Sequence, residues 1–236
     1  AGGYKTYRRE VSARLYDGGL PLNVVLVDGN TGSGKTEVLG RLAARGEQVI
    51  DLEALAGHRG SLFGALAGRP QPSQKLFESR LLAALDAIDP GRRVFLEAES
   101  SKIGERMTPP ALWQVMARAP RIELTAPAEL RAAYLVSAYR DIVEDRAALD
   151  EAMVRLPTPP GRKRLEEWRG LADAGDFQTL ARALMDLHYD PAYRRSSRKD
   201  GRAVLGTVEL AGLSPADLDA AAATVLQIAE ERAAGG

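Results

Sequence analysis

Gly29-Asn30-Thr31-Gly32-Ser33-Gly34-Lys35-Thr36 obeys the spacing G-x-x-x-x-G-K-[ST], which suits a backbone to holding phosphate. Its glycines let successive N–H groups turn inward onto phosphate oxygens. Lys35 supplies a point charge for the outer phosphate and Thr36 a hydroxyl that can hold a magnesium ion. A helix begun there presents its positive end to the same anion.

A phosphate site of this kind needs a second acid at the end of a neighbouring apolar strand, to hold a metal ion or its water. Glu97, directly after Arg93-Val94-Phe95-Leu96, has that position, with Glu99 as the alternative; both also read as polar residues closing a strand. Asp51 and Glu53 end another apolar run, where phosphotransferases orient their acceptor, and Asp51 is the candidate base. Arg59, in the loop that follows, could grip a second phosphate or an RNA backbone in a two-pronged contact. His58 beside it is balanced between a structural and a functional role. From Asp190 to Arg202, five basic residues (Arg194, Arg195, Arg198, Lys199, Arg202) stand against Asp190 and Asp200, next to Tyr189 and Tyr193. Aromatic faces among cations suit a single-stranded RNA, and equally describe a solvated basic loop with tyrosines packed beneath it.

These residues need a scaffold that brings strand ends together. Val24 to Val27, Gln48 to Leu52, Arg93 to Leu96, Ile122 to Leu124 and Val204 to Leu210 read as strands. Helical spacing appears over Glu37–Arg45, Ser73–Ile88, Pro109–Arg118 and Phe177–His188, where Phe177, Leu180, Ala181, Leu184 and Leu187 share a face. Glu129 to about Leu156 reads as an Arg-rich helix ended by Pro157-Thr158-Pro159-Pro160-Gly161, and Ser214-Pro215 as the start of a last helix. Ala56 to Gln74 is too rich in Gly and Pro for one helix, and so long a loop is functional or mobile. The expected fold is α/β, a P-loop NTPase-like three-layer arrangement with a mostly parallel sheet and a helical insert at about 127–200. Residues 1–20 read as a lead-in from an upstream domain, and 21–236 as the P-loop domain.

The 236 residues are 45% hydrophobic and 27% charged, as in ordinary globular proteins. Lys plus Arg and Asp plus Glu both total 32, so any nucleic acid must be met by a local patch. With no cysteine, disulfides, thiolate metal sites and thiol nucleophiles are excluded, and two histidines are too few for a His-built metal site. No apolar run suffices to span a membrane, and the expected location is the cytoplasm.

GNTGSGKTEVL, IDLEALAGHRGSLFG, Gln71 to Glu78, LEAESSKIG, PPALWQVMARAP and HYDPAYRRS, in that order, resemble the P-loop domain of bacterial tRNA 2-selenouridine synthases. The opening GGYKTYRREV is similar to the junction at which that family's rhodanese-like domain ends. The resemblance implies an enzyme acting on the wobble 2-thiouridine in a tRNA anticodon loop. Its sulfur is replaced by selenium from selenophosphate, through an S-geranylated intermediate made from geranyl diphosphate. The loop would then cradle a diphosphate, with Lys35 and its amides stabilising the departing pyrophosphate. Because the family's reactive cysteine belongs to the rhodanese-like domain, this chain is expected not to complete selenation alone. Two readings compete: an ATP-dependent small-molecule kinase, with Asp51 as base and the helices from Arg131 to Arg146 as a lid, and a nucleotide-binding regulatory module.

Overall fold

A computed structural model of the protein describes residues 3–61, 63–66, 68–156, 160–197 and 201–234. Along the chain run α1 (Gly3–Ser12), a π turn (Ala13–Asp17), β1 (Asn23–Gly29), α2 (Lys35–Ala44), β2 (Gln48–Ile50), α3 (Leu52–Ala56) and α4 (Gln74–Asp86). Then come β3 (Arg93–Glu97), β4 (Lys102–Ile103), β5 (Arg106–Met107), α5 (Pro110–Met116) and β6 (Arg121–Thr125). Between β6 and the last strand lie α6 (Ala128–Ala138), α7 (Arg140–Val143), α8 (Arg146–Val154), α9 (Arg162–Asp173), α10 (Phe177–Leu184), a second π turn (Met185–Tyr189) and α11 (Asp190–Ser197). The chain closes with β7 (Val204–Glu209) and α12 (Pro215–Ala234).

Five strands form one sheet in the order β2-β3-β1-β6-β7, every pair parallel. Successive strand residues face opposite ways, and β1 divides its apolar run accordingly. Val24 and Leu26 join Val94, Leu96 and Ile50 under α3, α4, α5 and the first π turn, with Val11 and Leu15 fully buried there. Val25 and Val27 join Phe95, Ile122, Leu124 and Val208 under α2 and α12. This is the three-layer P-loop NTPase-like fold: two helical layers around a parallel sheet, with the glycine-rich loop between β1 and α2 at the strands' carboxyl ends.

A third core, of Ile142, Leu149, Met153, Trp168, Leu180 and Leu184, belongs to the helices between β6 and β7, and Phe63 from the loop after α3 enters it.

Several local readings change. The helix expected over Glu129 to Leu156 comes in three pieces, because Tyr139 leaves helical geometry (φ −111°, ψ 29°) and Asp145 starts a new helix by accepting from the N–H groups of Ala147 and Ala148. The helix α9 carries only a narrow apolar stripe on a strongly charged segment, which hid it. The second π turn inserts a residue into the helical repeat, so Met185 is buried and Leu187, expected inside, is exposed. The basic segment from Asp190 is helical through Ser197. Among the described residues no helix is long and apolar enough to cross a membrane.

Candidate active site

Gly29 ends β1 at φ +148°, and a Cβ there would collide with the Leu124 carbonyl on β6. Only glycine lets the chain turn so close to a neighbouring strand. The turn delivers Lys35 to the first position of α2. Its Nζ donates to the carbonyl of Gly29 at 2.9 Å and lies 3.4 Å from Glu97 Oε1. Burial alone would lower the lysine's pKa, but Glu97, Glu99 and Glu53 reverse that and raise it, so the ammonium stays charged. The hydroxyl of Thr36 donates to Glu97 Oε2 at 3.2 Å. Ser33 Oγ is buried and finds no hydrogen-bond partner among the described residues.

The loop's far side is held by the helical insert. Asn30 Nδ2 donates to Asp190 Oδ1 at 2.8 Å, and Arg131 grips both oxygens of Asp190 at 2.9 and 2.6 Å while donating to the Thr31 carbonyl at 3.1 Å. Arg131 and Asp190 are both buried. Such a pair is costly to break, since either partner left alone is an uncompensated buried charge.

Glu97, Glu99 and Glu53 bring carboxylate oxygens within 4.8 Å of one another. Burial raises all three pKa values. Glu53 goes up to about 10, with Glu97 and Glu99 adding to the effect; Glu99 goes up to about 7, with Glu97 adding; Glu97 rises although Lys35 and Thr36 oppose it. Three mutually repelling carboxylates beside a hydroxyl make a donor set for a hard divalent cation. Gly60, at φ +64°, fits against this group because it lacks a Cβ, which would strike the carboxylates of Glu53 and Glu99.

Asp51 takes a different position from the one its place in the sequence suggested. Strand β2 stops at Ile50, and Asp51 caps α3, its Oδ1 accepting from the Ala54 N–H at 2.8 Å. With the chain already helical, Glu53 rather than Asp51 lines the cleft. Asp is among the residues that favour the position before a helix, and that preference was the available signal.

The cleft, about 950 Å³ including its open mouth, runs from Lys35 and Thr36 past Glu53, Glu97 and Glu99 to Arg59, Ser61, Tyr134 and Tyr139. Arg59 lies over the Tyr139 ring, 5.0 Å from its centre, and donates to Asp141 Oδ1 at 2.9 Å. A second, narrower cavity adjoins it, about 520 Å³ including its open mouth and the gaps between its wall atoms, sharing Thr31, Ser61, Leu135 and Tyr139. Its other walls are Phe63, Val136, Ile142, Val143, Leu149, Phe177, Leu180, Ala181, Leu184 and Tyr189, almost wholly apolar. Nothing in the sequence pattern announces this cavity, whose walls come from four helices, the second π turn and two loops.

The remaining candidates are set apart. The His58 ring is wedged between Gly64 and Gly104, where added Cβ atoms would lie 2.7 and 2.6 Å from it; burial, then Arg59, lowers its pKa. Tyr189 packs against Phe63 and His188 at centroid distances of 6.4 and 5.0 Å, and burial raises its hydroxyl pKa. Its ring is part of the cavity wall rather than an open stacking face. Tyr193 is half-buried beside Arg121, Asp28 and Glu123, its pKa raised by burial and then by the two carboxylates. Arg194 and Arg195 are exposed, whereas Arg198 lies outside the described residues.

The family described as "tRNA 2-selenouridine synthase AAA domain" matches residues 22–154. The chain belongs to that family. Relatives named tRNA 2-selenouridine synthase occur in Shewanella frigidimarina, 30% identical over 220 residues, and Hahella chejuensis, 32% identical over 226. The alignments cover 81% and 84% of this chain and 59% and 58% of those proteins, so the chain spans under two thirds of their length. Two solved structures are distantly similar. TT1252 of Thermus thermophilus has 19% identity and a TM-score of 0.36, over 87% of this chain and 97% of that one. A gluconokinase of Sinorhizobium meliloti has 14% identity and a TM-score of 0.34, over 91% and 99%. Likeness at that level carries no weight for function. The family match covers β1 through α8, including every residue of the phosphate-binding loop and Glu53, Glu97 and Glu99, and stops before α10 and Asp190.

Proposed function

We propose that this chain is the P-loop domain of a tRNA wobble-uridine modifying enzyme, binding geranyl diphosphate and transferring its geranyl group to the sulfur of 2-thiouridine. The observation that carries this reading is the pairing of a charged cleft with an apolar cavity across shared walls. A nucleoside triphosphate offers nothing apolar enough for Phe63, Ile142 and Leu180, whereas a prenyl diphosphate matches both chambers. The names of the relatives support tRNA as the acceptor.

In this reading the diphosphate lies on the amides of Gly29 to Thr36 and the ammonium of Lys35, and the hydrocarbon chain enters the cavity beside Leu135. The 2-thio sulfur attacks the first carbon of the geranyl chain, a C–S bond forms as the C–O bond breaks, and pyrophosphate leaves with the electron pair. Loss of the N3 proton leaves a neutral S-alkylated uridine. Lys35 and Arg59 stabilise the negative charge that grows on the leaving group. Glu53, Glu97, Glu99 and the Thr36 hydroxyl suit a divalent cation such as magnesium, which when bound would offset the charge of pyrophosphate against three carboxylates. The later exchange with selenophosphate we assign to an enzyme that also holds a rhodanese-like domain, since this chain has no cysteine.

Calorimetry with geranyl diphosphate, pyrophosphate and ATP tests the proposal, followed by mass analysis of an anticodon stem-loop carrying 2-thiouridine. Geranyl diphosphate should bind at least about tenfold tighter than pyrophosphate, because two buried methylenes at ~0.8 kcal/mol each already exceed the ~1.4 kcal/mol of a tenfold ratio. The RNA should gain the mass of one geranyl group. Equal affinity for both diphosphates, or ATP turnover without RNA affinity, would overturn the proposal, and the latter result would favour the kinase reading.

A further inference from the structure

Most arginines on the outer faces of the insert are neutralised where they stand. Arg146 meets Asp173, Arg162 meets Glu166, Arg169 meets Asp150, and Arg182 is held by Glu129 and Asp186. A groove of about 680 Å³, including its open mouth, departs from this pattern. Arg59, Arg69 and Arg140 line it with Leu66, Ser137 and Ala138, and Asp141 is its one acid. Arg59 already faces Asp141 at 2.9 Å. Arg69 and Arg140 are exposed, and among the described residues neither is held in an ion pair. The groove continues the cleft, since Arg59 and Ala138 border both.

We infer that this groove carries the RNA backbone flanking the base that enters the cleft, with Arg69 and Arg140 each neutralising a phosphate and Leu66 offering an apolar contact to a sugar. This deepens the tRNA reading and rests on it. Three guanidiniums against one carboxylate leave a net positive strip at the mouth of the cleft, and arginine's planar fork suits phosphate oxygens. A flipped base must leave its two flanking phosphates near that mouth. Arg194 and Arg195, the basic pair suggested by sequence, line neither chamber nor the groove.

The test uses the chain as it stands and a fluorescent anticodon stem-loop containing 2-thiouridine, with affinity measured over a range of salt concentrations. For Arg69→Ala with Arg140→Ala, the slope of log affinity against log salt should fall by roughly 1.4, about 0.7 for each lost single-strand phosphate contact. Geranyl diphosphate affinity should not change. The pair Arg69→Lys with Arg140→Lys should keep the wild-type slope, which separates lost charge from altered folding. Each single alanine variant should lower the slope by roughly 0.7, so the inference remains testable even if the double variant folds poorly. An unchanged slope in the alanine variants overturns it, as does a larger loss from Arg194→Ala with Arg195→Ala. Were the wild-type chain to bind geranyl diphosphate but no RNA, the tRNA reading itself would fail, an outcome distinct from a misplaced backbone path.

Discussion

The charged cleft and the apolar cavity share Thr31, Ser61, Leu135 and Tyr139, yet they are built in opposite ways. The cleft sits at the carboxyl ends of a parallel sheet, where strand ends and a helix start converge polar groups from neighbouring positions. The cavity is made chiefly by helices α6, α7, α8 and α10 with Phe63 and Tyr189, and has almost no polar lining. One chamber concentrates charge that water would otherwise solvate; the other offers an almost wholly apolar lining. A ligand satisfying both has a phosphorylated head and a hydrocarbon tail.

The comparison breaks most visibly at the joint between the two parts. Asp190→Ala leaves Arg131 buried and unpaired and should cost about 3–5 kcal/mol of stability, measurable as the shift of the unfolding midpoint in urea. Donor affinity should fall with it, since Asn30 loses its anchor. Within the cleft, Lys35→Ala removes charged contacts worth roughly 1.5–3 kcal/mol each. Calorimetry should show pyrophosphate and geranyl diphosphate both weakened by about tenfold or more, with the ratio between them unchanged. Within the cavity the reverse holds. Ala181→Phe fills the apolar space and should abolish the preference for geranyl diphosphate, about 1–2 kcal/mol of chain burial, while pyrophosphate affinity stays at the wild-type value.

A smaller effect concerns pH. Glu99 and Glu53 have pKa values raised to about 7 and about 10 in the folded protein, from 4.5. The folded state therefore holds protons that the unfolded chain has released. The stability these groups contribute is complete below the unfolded value and is lost as pH rises through about 7 and then about 10. Between about pH 6 and about pH 9 the melting temperature should fall, and Glu53→Gln should flatten that decline. Magnesium should restore stability more at the alkaline end, since it replaces protons on the same carboxylates; a magnesium effect independent of pH would detach the ion from this cluster.

The sheet was legible because its signals are local. The apolar run of β1 and the loop's glycines adjoin one another, Glu97 directly closes the apolar run of β3, and parallel topology follows from alternating strands and helices. Glu53 was harder to single out, because the choice between it and Asp51 depends on where β2 gives way to α3, and the strand ends at Ile50 rather than at Leu52. The apolar cavity and the contact of Asp190 with Asn30 join positions far apart in sequence, and no periodicity within an element encodes them. Tyr189 shows the same limit: in sequence it precedes a basic segment, whereas in space its ring packs against Phe63, far away along the chain.

Phe63 leaves the loop after α3 and sits in the core of the insert, 6.4 Å from the ring of Tyr189. In mechanical terms it is a peg. The loop it fastens also carries Arg59, Gly60 and Ser61 along the cleft, so the wall of the hydrocarbon chamber cannot swing outward without drawing that rim with it. The passage through which an oily tail would enter and the edge over which a charged head would rest are thus joined through one side chain.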